Sequence, residues 1–242
     1  RFYKLENKEI LSLTENEIHI YNKNGEEVKR SSTVAELDSS MIHKGEYLHF
    51  MEKEIFEQPQ AVQDTLLYAC NQDNDQFSYE TFSMSEKDFR DITRIRVIAC
   101  GSAYHAGYVL KSVCESLARV PVQVELASEF RYNHPILEDG EIVIGISQSG
   151  ETADTLAAIK EAKKLGAKTL SIVNVNGSAI AGESDFVFYT QAGPEIAVAT
   201  TKAYSCQLVA GYIFSLLLAK AKGKIGDEEA HRLKEELFNL PS

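Results

Sequence analysis

The chain has 242 residues, a formal net charge of −11 at pH 7 and a hydrophobic content of 44%, which favour one compact core with a smaller attached piece. Phosphate-backbone binding needs clustered Lys and Arg, so this acidic balance argues against a nucleic-acid partner. No apolar run approaches the ~20 residues that cross a bilayer, so we expect a soluble chain without a membrane partner.

The cysteines and the first residues indicate the compartment and the origin of the chain. Four cysteines, at positions 70, 100, 114 and 206, lie far apart, without the spacing of a metal site or a redox pair. No disulfide framework is implied, a reducing cytoplasm fits best, and we expect no metal and no cofactor. Residue 1 is Arg and the opening lacks the segments of a signal peptide, so we expect a fragment of a longer protein.

Residues 1–43 read as short strands followed by a linker. The strands are RFYKLE, EILSLT, EIHIYN and EEVKR. The pair Asn24-Gly25 predicts a tight hairpin turn, in which both central residues need positive φ. So few strands cannot stand alone, and we expect the edge of another domain, with a boundary near Lys44.

Residues 44–242 predict an α/β domain. Apolar residues at helical spacing from Phe50 to Cys70 predict a helix that Pro59 kinks or divides, and residues 71–85 read as an irregular polar stretch. Five β-rich runs then alternate with helices: RIRVIAC, PVQVELA, EIVIGIS, TLSIVNV and DFVFYT. The helices are expected at about 103–118, 152–165 and 203–221. This alternation predicts a three-layer, doubly wound, parallel five-stranded sheet.

Ligands of such sheets bind beyond the carboxyl ends of the strands, where one loop is rich in donors. Ser147-Gln148-Ser149-Gly150-Glu151-Thr152 carries three hydroxyls and an amide before a helix. Free N–H groups at a helix start, helped by hydroxyls, suit a phosphate monoester. The alternative is that Ser149 or Thr152 merely caps the helix; the surplus of donors favours a ligand.

Two further segments are weaker candidates. Cys100-Gly101-Ser102 follows the first run, but Ser102 alone fits an ordinary cap, Cys100 reads as a buried small residue, and His105 is more often structural. Gly193 to Lys202 opens the last predicted helix. Glu195 and Lys202 in it are candidate acid/base groups, or else a structural ion pair.

These segments carry a family resemblance. SQSGETADTL, with CGS upstream and ATTKA downstream, resembles the sugar-isomerase (SIS) domain. ASEFRY and HFMEKEIFEQP narrow the resemblance to the glutamine–fructose-6-phosphate aminotransferases. It covers the whole chain: residues 1–43 resemble the end of the glutaminase domain and the following linker, and residues 44–242 the first SIS domain, of flavodoxin-like fold. LPS at the end resembles the linker to a second SIS domain.

The resemblance implies an enzyme that converts fructose 6-phosphate and glutamine to glucosamine 6-phosphate and glutamate. It implies phosphate contacts at Ser102, Ser147, Gln148, Ser149 and Thr152, and a backbone contact to the sugar at Val198. Ala103 stands where the family often has a serine. No catalytic residue is expected in this chain, because those of the family lie in other segments, so we expect it to be inactive alone.

The resemblance also implies partners. These are the sugar phosphate, the second SIS domain and glutaminase domain of the same enzyme, and a second copy in a homodimer. Two alternatives stay open. One is a stand-alone SIS sensor, which would need a DNA-binding module that residues 1–43 do not predict; the other is a dimerisation domain, suggested by the apolar stretch 205–221.

Overall fold

The computed structural model describes residue 3 and residues 5–32, 43–71 and 76–241, with the side chain of Asn71 left aside. The chain divides into two compact units, Arg1–His43 and Lys44–Ser242. Each unit is described by itself.

The first unit contains an antiparallel pair, β1 (Ile10–Leu13) and β2 (Ile18–Tyr21). The turn after β2 differs from the prediction, because Gly25 has positive φ and Asn24 does not. The side-chain oxygen of Asn22 instead accepts the N–H groups of Asn24 and Glu26, at 2.9 and 3.1 Å. An Asn side chain that binds the backbone ahead of it replaces the two-residue turn.

Two of the predicted strands in this unit are wrong. The described residues of RFYKLE form no strand, and EEVKR contributes one isolated bridge, between Glu27 and Tyr21. Charged side chains dominate EEVKR and form ion pairs instead: Arg30 lies 2.8 Å from Glu6 and 2.7 Å from Glu9. EEVKR has a single apolar side chain to bury in a sheet.

The second unit opens with helices α1 (Phe50–Phe56) and α2 (Gln58–Ala69). Pro59 lies in the first turn of α2, where its missing N–H would have no intrahelical acceptor. The predicted division of this helix at Pro59 is confirmed.

The stretch predicted to be polar and irregular is part of the core. It contains β3 (Cys70–Asn71), which pairs with β4 (Gln76–Phe77), and a 3₁₀ turn over Tyr79–Phe82. Phe77, Phe82 and Met84 are buried, and the ring of Phe82 stacks on Phe188. Residues 72–75 lie outside the described part. The few large apolar side chains here outweigh the polar composition, because each is buried completely or nearly so.

A parallel sheet then builds up with alternating helices: α3 (Glu86–Asp91), β5 (Arg94–Ala99), α4 (Ser102–Leu117), β6 (Val122–Leu126), α5 (Ala127–Tyr132), β7 (Glu141–Ser147), α6 (Ala153–Lys164), β8 (Lys168–Val173), α7 (Ala179–Glu183), β9 (Phe186–Tyr189), α8 (Lys202–Ala221) and α9 (Asp227–Phe238). Its strand order is β6-β5-β7-β8-β9, with all neighbours parallel. The predicted doubly wound, five-stranded fold is confirmed.

Both faces of the sheet are covered, as the nearly continuous apolar strands require. Along β7, Ile142, Ile144 and Ile146 belong to the core cluster that includes buried residues of α4 and α8, whereas Val143 belongs to the cluster that includes residues of α5 and α6. Because successive strand residues point to opposite faces, one strand supplies two cores. The connections leave β5 and β7 in opposite directions along the sheet, which puts a topological switch point between these two strands.

Helix α8 forms the centre of the larger core. Contrary to the expectation that no apolar run approaches this length, it has the length and apolar composition of a membrane span, but 78% of its most apolar window is buried inside the protein. It packs on α2, α3 and α4. Its apolar residues therefore serve the interior of this domain.

Candidate functional site

Four loops follow the carboxyl ends of the strands, which is where open α/β sheets bind ligands. We name them by the elements that they join: the β5–α4 loop (residues 100–101), the β7–α6 loop (148–152), the β8–α7 loop (174–178) and the β9–α8 loop (190–201). The first two flank the switch point.

The β7–α6 loop is held by its own hydroxyls. Ser147 is the last residue of β7 and is 3% exposed. Its Oγ accepts the N–H of Gly150 at 3.1 Å and lies 2.9 Å from Oγ1 of Thr152. The N–H of Glu151 donates to Oγ of Ser149 at 3.2 Å. A short chain of hydrogen bonds thus fixes the loop from within.

Gly150 is required at its position for two reasons. Its φ of +65° is a conformation that side chains disfavour, and a Cβ there would lie 2.0 Å from Oγ of Ser178. Ser178 is buried, and its hydroxyl has no partner among the described residues. The β8–α7 loop therefore presses against the β7–α6 loop with no space for a side chain between them.

Helix α7 is tied to the same loop. The N–H of Ile180 donates to the carbonyl of Gly150 at 2.9 Å, and the N–H of Ala179 donates to Oε1 of Glu151 at 2.8 Å. Glu151 thus uses its carboxylate at the start of α7. This structural role explains why an acidic residue, Glu151, stands in a loop that is predicted to bind an anion.

The start of α6 is open. Thr152 is its N-cap residue but makes no side-chain cap bond, so the simple capping role considered for Ser149 and Thr152 is wrong. The N–H groups of Ala153, Asp154 and Thr155 donate to no acceptor among the residues that the structure describes. A 12-residue helix that begins with free N–H groups next to hydroxyls is suited to an anion.

The β5–α4 loop is nearly free of side-chain contacts. Gly101 has φ 60° and ψ −138°, and a Cβ on it would meet no atom within 4 Å. Ser102 opens α4, is exposed, and does not cap the helix. Thr155 Oγ1 lies 4.0 Å from Sγ of Cys100, which brings this loop next to the first turn of α6. The structure therefore gathers the predicted residues of both loops at the switch point.

Three other residues named from the sequence have different surroundings. Cys100 is half-buried, Ala103 is buried, and His105 is exposed on the first turn of α4. None of the three forms a hydrogen bond with the β7–α6 loop among the described residues.

The start of α8 is held by two glutamates, one from the β9–α8 loop and one from the α1–α2 junction. Glu195 Oε1 accepts the N–H groups of Thr201 and Ala203 at 2.9 and 3.2 Å, so Glu195 caps α8. Lys202 instead pairs with Glu57 of the α1–α2 junction, at 2.7 Å. The considered Glu195–Lys202 ion pair is therefore wrong, because each group has another partner. Val198 is fully exposed.

Asn174 connects this loop to the switch point, and sequence reasoning missed it. Its N–H donates to the carbonyl of Gln148 at 3.1 Å. Its side-chain oxygen accepts from Thr190 and Ala192, and its amide donates to the carbonyl of Gly193 at 2.8 Å. The available signal was its position near the carboxyl end of the predicted strand TLSIVNV.

A cavity of about 270 Å³ lies at the amino ends of β7 and β8, which is the end of the sheet opposite the β7–α6 loop, and is lined among others by Met84, Asp88 and Lys168. Among the described residues, no three His, Cys, Asp or Glu side chains form a group that could hold a metal ion.

The buried thiols are not chemically poised. Burial raises the pKa of Cys114 to about 12 and that of Cys206 to about 11. A thiol must lose its proton to act as a nucleophile. Both cysteines therefore serve packing, in α4 and in α8.

Comparison with known proteins agrees with this geometry. The family model described as "SIS domain" matches residues 88–217. The glutamine–fructose-6-phosphate aminotransferase of Clostridium tetani is 46% identical over 99% of this chain, and that of Clostridium acetobutylicum is 43% identical over 99%. The chain spans 39% of the length of each of these relatives. These matches confirm the resemblance predicted from the sequence motifs.

A solved structure extends the similarity to the fold. The C-terminal domain of glucosamine-fructose-6-phosphate aminotransferase from Francisella tularensis matches 82% of this chain and 56% of its own, with a TM-score of 0.79 and 42% identity. The matched share of its length is again partial.

Proposed function

This chain belongs to the SIS domain family, and we propose that it binds the phosphate group of a sugar phosphate at the β7–α6 loop. One observation carries the proposal. The first N–H groups of α6 are free, and the hydroxyls beside them do not cap the helix. Helix starts of this kind bind phosphate through the backbone without a lysine.

The proposed phosphate contacts are Ser102, Ser147, Gln148, Ser149 and Thr152, and each has a distinct part. Thr152 and Ser149 supply hydroxyls at the start of α6, and Ser102 supplies one from across the switch point. Ser147 is buried, so its hydroxyl bonds Thr152 and orients that group. Gln148 is half-exposed, and its side-chain amide is a further donor.

Electrostatics of the site are modest and local. The helix dipole contributes about 0.3–1 kcal/mol to a bound anion. Arg131 of α5 lies 3.6 Å from Asp154, which offsets the carboxylate in the first turn of α6. Ala103 supplies no hydroxyl where the family often has one, so we propose that the affinity for phosphate is lower than with a serine there.

The sugar is proposed to extend toward the β9–α8 loop, where the backbone of Val198 contacts it. Asn174 supports this placement, because it hydrogen-bonds both to Gln148 and to residues 190–193. The two loops are therefore connected through one side chain.

For the longer protein we propose the reaction of the relatives, in which fructose 6-phosphate and glutamine give glucosamine 6-phosphate and glutamate. Residues 1–43 are then the end of a glutaminase domain with its linker, and residues 44–242 the first SIS domain. A second SIS domain would complete the sugar site of a cytoplasmic homodimer. The similarity over 99% of this chain supports the proposal, and the groups named above would bind and orient the phosphate end of the substrate.

A purely dimerising role has less support. The stretch 205–221 that suggested it lies in α8, most of which is buried inside the domain. A surface already used for the core is not available to a second copy.

Calorimetric titration of this chain with fructose 6-phosphate tests the proposal. We expect saturable binding that is lost in the Ser149→Ala, Thr152→Ala double variant and absent with fructose, which has no phosphate. Equal heats from the double variant would refute the proposed loop. The control is Glu151→Gln, because the side chain of Glu151 bonds the start of α7. Retained binding by this variant would show that the loss in the double variant comes from the two hydroxyls and not from a general change in the loop.

A further inference from the structure

The motif HFMEKEIFEQP is not used by the phosphate site, although it helped to identify the family. It lies on α1 and the start of α2, and three of its side chains contact the β9–α8 loop or the start of α8. Glu57 pairs with Lys202 at 2.7 Å, and Oε1 of Gln58 accepts from the hydroxyl of Ser205 at 2.7 Å. The third contact, from Glu54, is to the loop itself.

Glu54 is a buried carboxylate. It is 2% exposed, and its Oε1 accepts the N–H groups of Ile196 and Ala197 at 2.6 and 3.2 Å. Its Oε2 is also buried, without a partner among the described residues. No Lys or Arg forms an ion pair with Glu54 in that part of the chain.

Such an arrangement is costly for the fold. Removal of a carboxylate from water is compensated only when both oxygens have good partners, and here one has none. Glu54 is therefore poorly explained as a stabilising residue. Its two hydrogen bonds end at the residues directly before Val198, so they fix the backbone at the point where the loop becomes fully exposed.

We propose that Glu54 is the positioning residue that holds the β9–α8 loop in place for the sugar moiety of the bound sugar phosphate. The inference rests on the proposed function, since it assumes a phosphate at the β7–α6 loop. It adds that the phosphate and the sugar are held by separately supported elements: the phosphate by α6 and its loop, the sugar by a loop supported from α1.

Because different elements support the phosphate and the sugar, the two contributions to binding can be measured separately. Loss of Glu54 removes the acceptor of two N–H groups next to Val198 but leaves Ser147, Ser149 and Thr152 with their own hydrogen bonds. Affinity for fructose 6-phosphate should then fall, whereas affinity for inorganic phosphate should not. A general loss of structure would weaken both.

The test measures affinities for fructose 6-phosphate and inorganic phosphate by calorimetry, together with melting temperatures. For Glu54→Ala we expect about tenfold weaker binding of fructose 6-phosphate, since hydrogen bonds to charged groups are lost, and unchanged binding of phosphate. Glu54→Gln keeps one acceptor oxygen and should restore part of the affinity. Glu52→Ala is the matched control, because Glu52 is an exposed carboxylate on the same helix that accepts from Leu48 instead.

Amide exchange gives a second measurement. The N–H groups of residues 196 and 197 should exchange faster in Glu54→Ala, and at the native rate in Glu52→Ala. If Glu54→Ala does not fold, Glu54→Asp, which draws the carboxylate back by one methylene, provides the same comparison.

The outcomes are distinct. No binding of either ligand by the native chain would refute the proposed function and this inference with it. Native binding that Glu54→Ala leaves unchanged, or weakens equally for both ligands, would refute the role of Glu54 alone.

Discussion

The two loops at the switch point, β5–α4 and β7–α6, each lead into the start of a helix, and they are held in different ways. Both place a glycine of positive φ near an α-helix, at Gly101 and Gly150. The β7–α6 loop is fixed by hydrogen bonds of Ser147 and Ser149 and by close packing of Ser178 against Gly150. The β5–α4 loop has none of these and depends on the conformation of Gly101.

The difference shows that two loops with similar sequences can be held in place by different interactions. One loop is positioned by tertiary contacts, so its shape depends on residues about 30 positions away. The other is positioned by local backbone preference. Substitutions that act on contacts should therefore separate from those that act on backbone strain.

The largest effect is expected for Gly150→Ala. The substitution combines positive φ with a Cβ 2.0 Å from Ser178 Oγ, and we expect a loss of about 4 kcal/mol in the free energy of unfolding. Urea denaturation measures it. The Gly150→Ala, Ser178→Gly double variant should recover the part of the loss that comes from the clash with Ser178. It should not recover the part that comes from the positive φ. No recovery would show that the contact is unimportant.

Gly101→Ala should cost less, because a Cβ there meets nothing and only the backbone conformation, with ψ −138°, is disfavoured. We expect about 2 kcal/mol, measured in the same way. A loss as large as that of Gly150→Ala would contradict the comparison.

The serines sharpen the contrast. Ser147→Ala removes the acceptor of the Gly150 N–H at a buried position and should cost about 1–2 kcal/mol. Ser102→Ala, at an exposed position without a cap bond, should leave the unfolding free energy within about 0.5 kcal/mol of the native value. Thermal melts of both variants measure the two losses. Equal losses would contradict the conclusion that side-chain hydrogen bonds stabilise the β7–α6 loop but not the β5–α4 loop.

Thr152→Val should change stability little, because it keeps the shape of a half-buried residue and removes only its hydroxyl. We expect less than about 1 kcal/mol in stability, together with weaker binding of fructose 6-phosphate. Calorimetry and melting on the same sample provide the measurement. Unchanged affinity would remove Thr152 from the proposed contacts.

The order of strands and long helices was predictable because apolar runs and helical spacing are local signals. The short helices α3, α5 and α7 were not predicted, since five or six residues hold too few turns for a period to appear. The α9 helix was missed as well. The stretch 71–85 was misjudged from its polar composition, although Phe77 and Phe82 in it are buried.

The candidate site was predictable in its loops but not in its supports. The β7–α6 loop was predictable because ligands of α/β sheets bind beyond the carboxyl ends of the strands, and the strand positions could be read from the sequence. This loop is rich in Ser, Gly and Thr. Asn174, Ser178 and Glu54 act through contacts with residues 16 to 143 positions distant, such as Asn174 with Thr190 and Glu54 with Ala197. No local pattern reports such contacts.

The position of α8 in the core has a consequence for the newly made chain. Translation produces the strands β5 to β9 and their helices before α8, yet α8 packs on α2 and α4, which are made much earlier. The part of one sheet face that α8 covers thus stays exposed until residue 221 has left the ribosome, although α4 already packs on the same face. During that interval the nascent domain exposes apolar surface to chaperones, and it completes its fold only when its most apolar helix arrives.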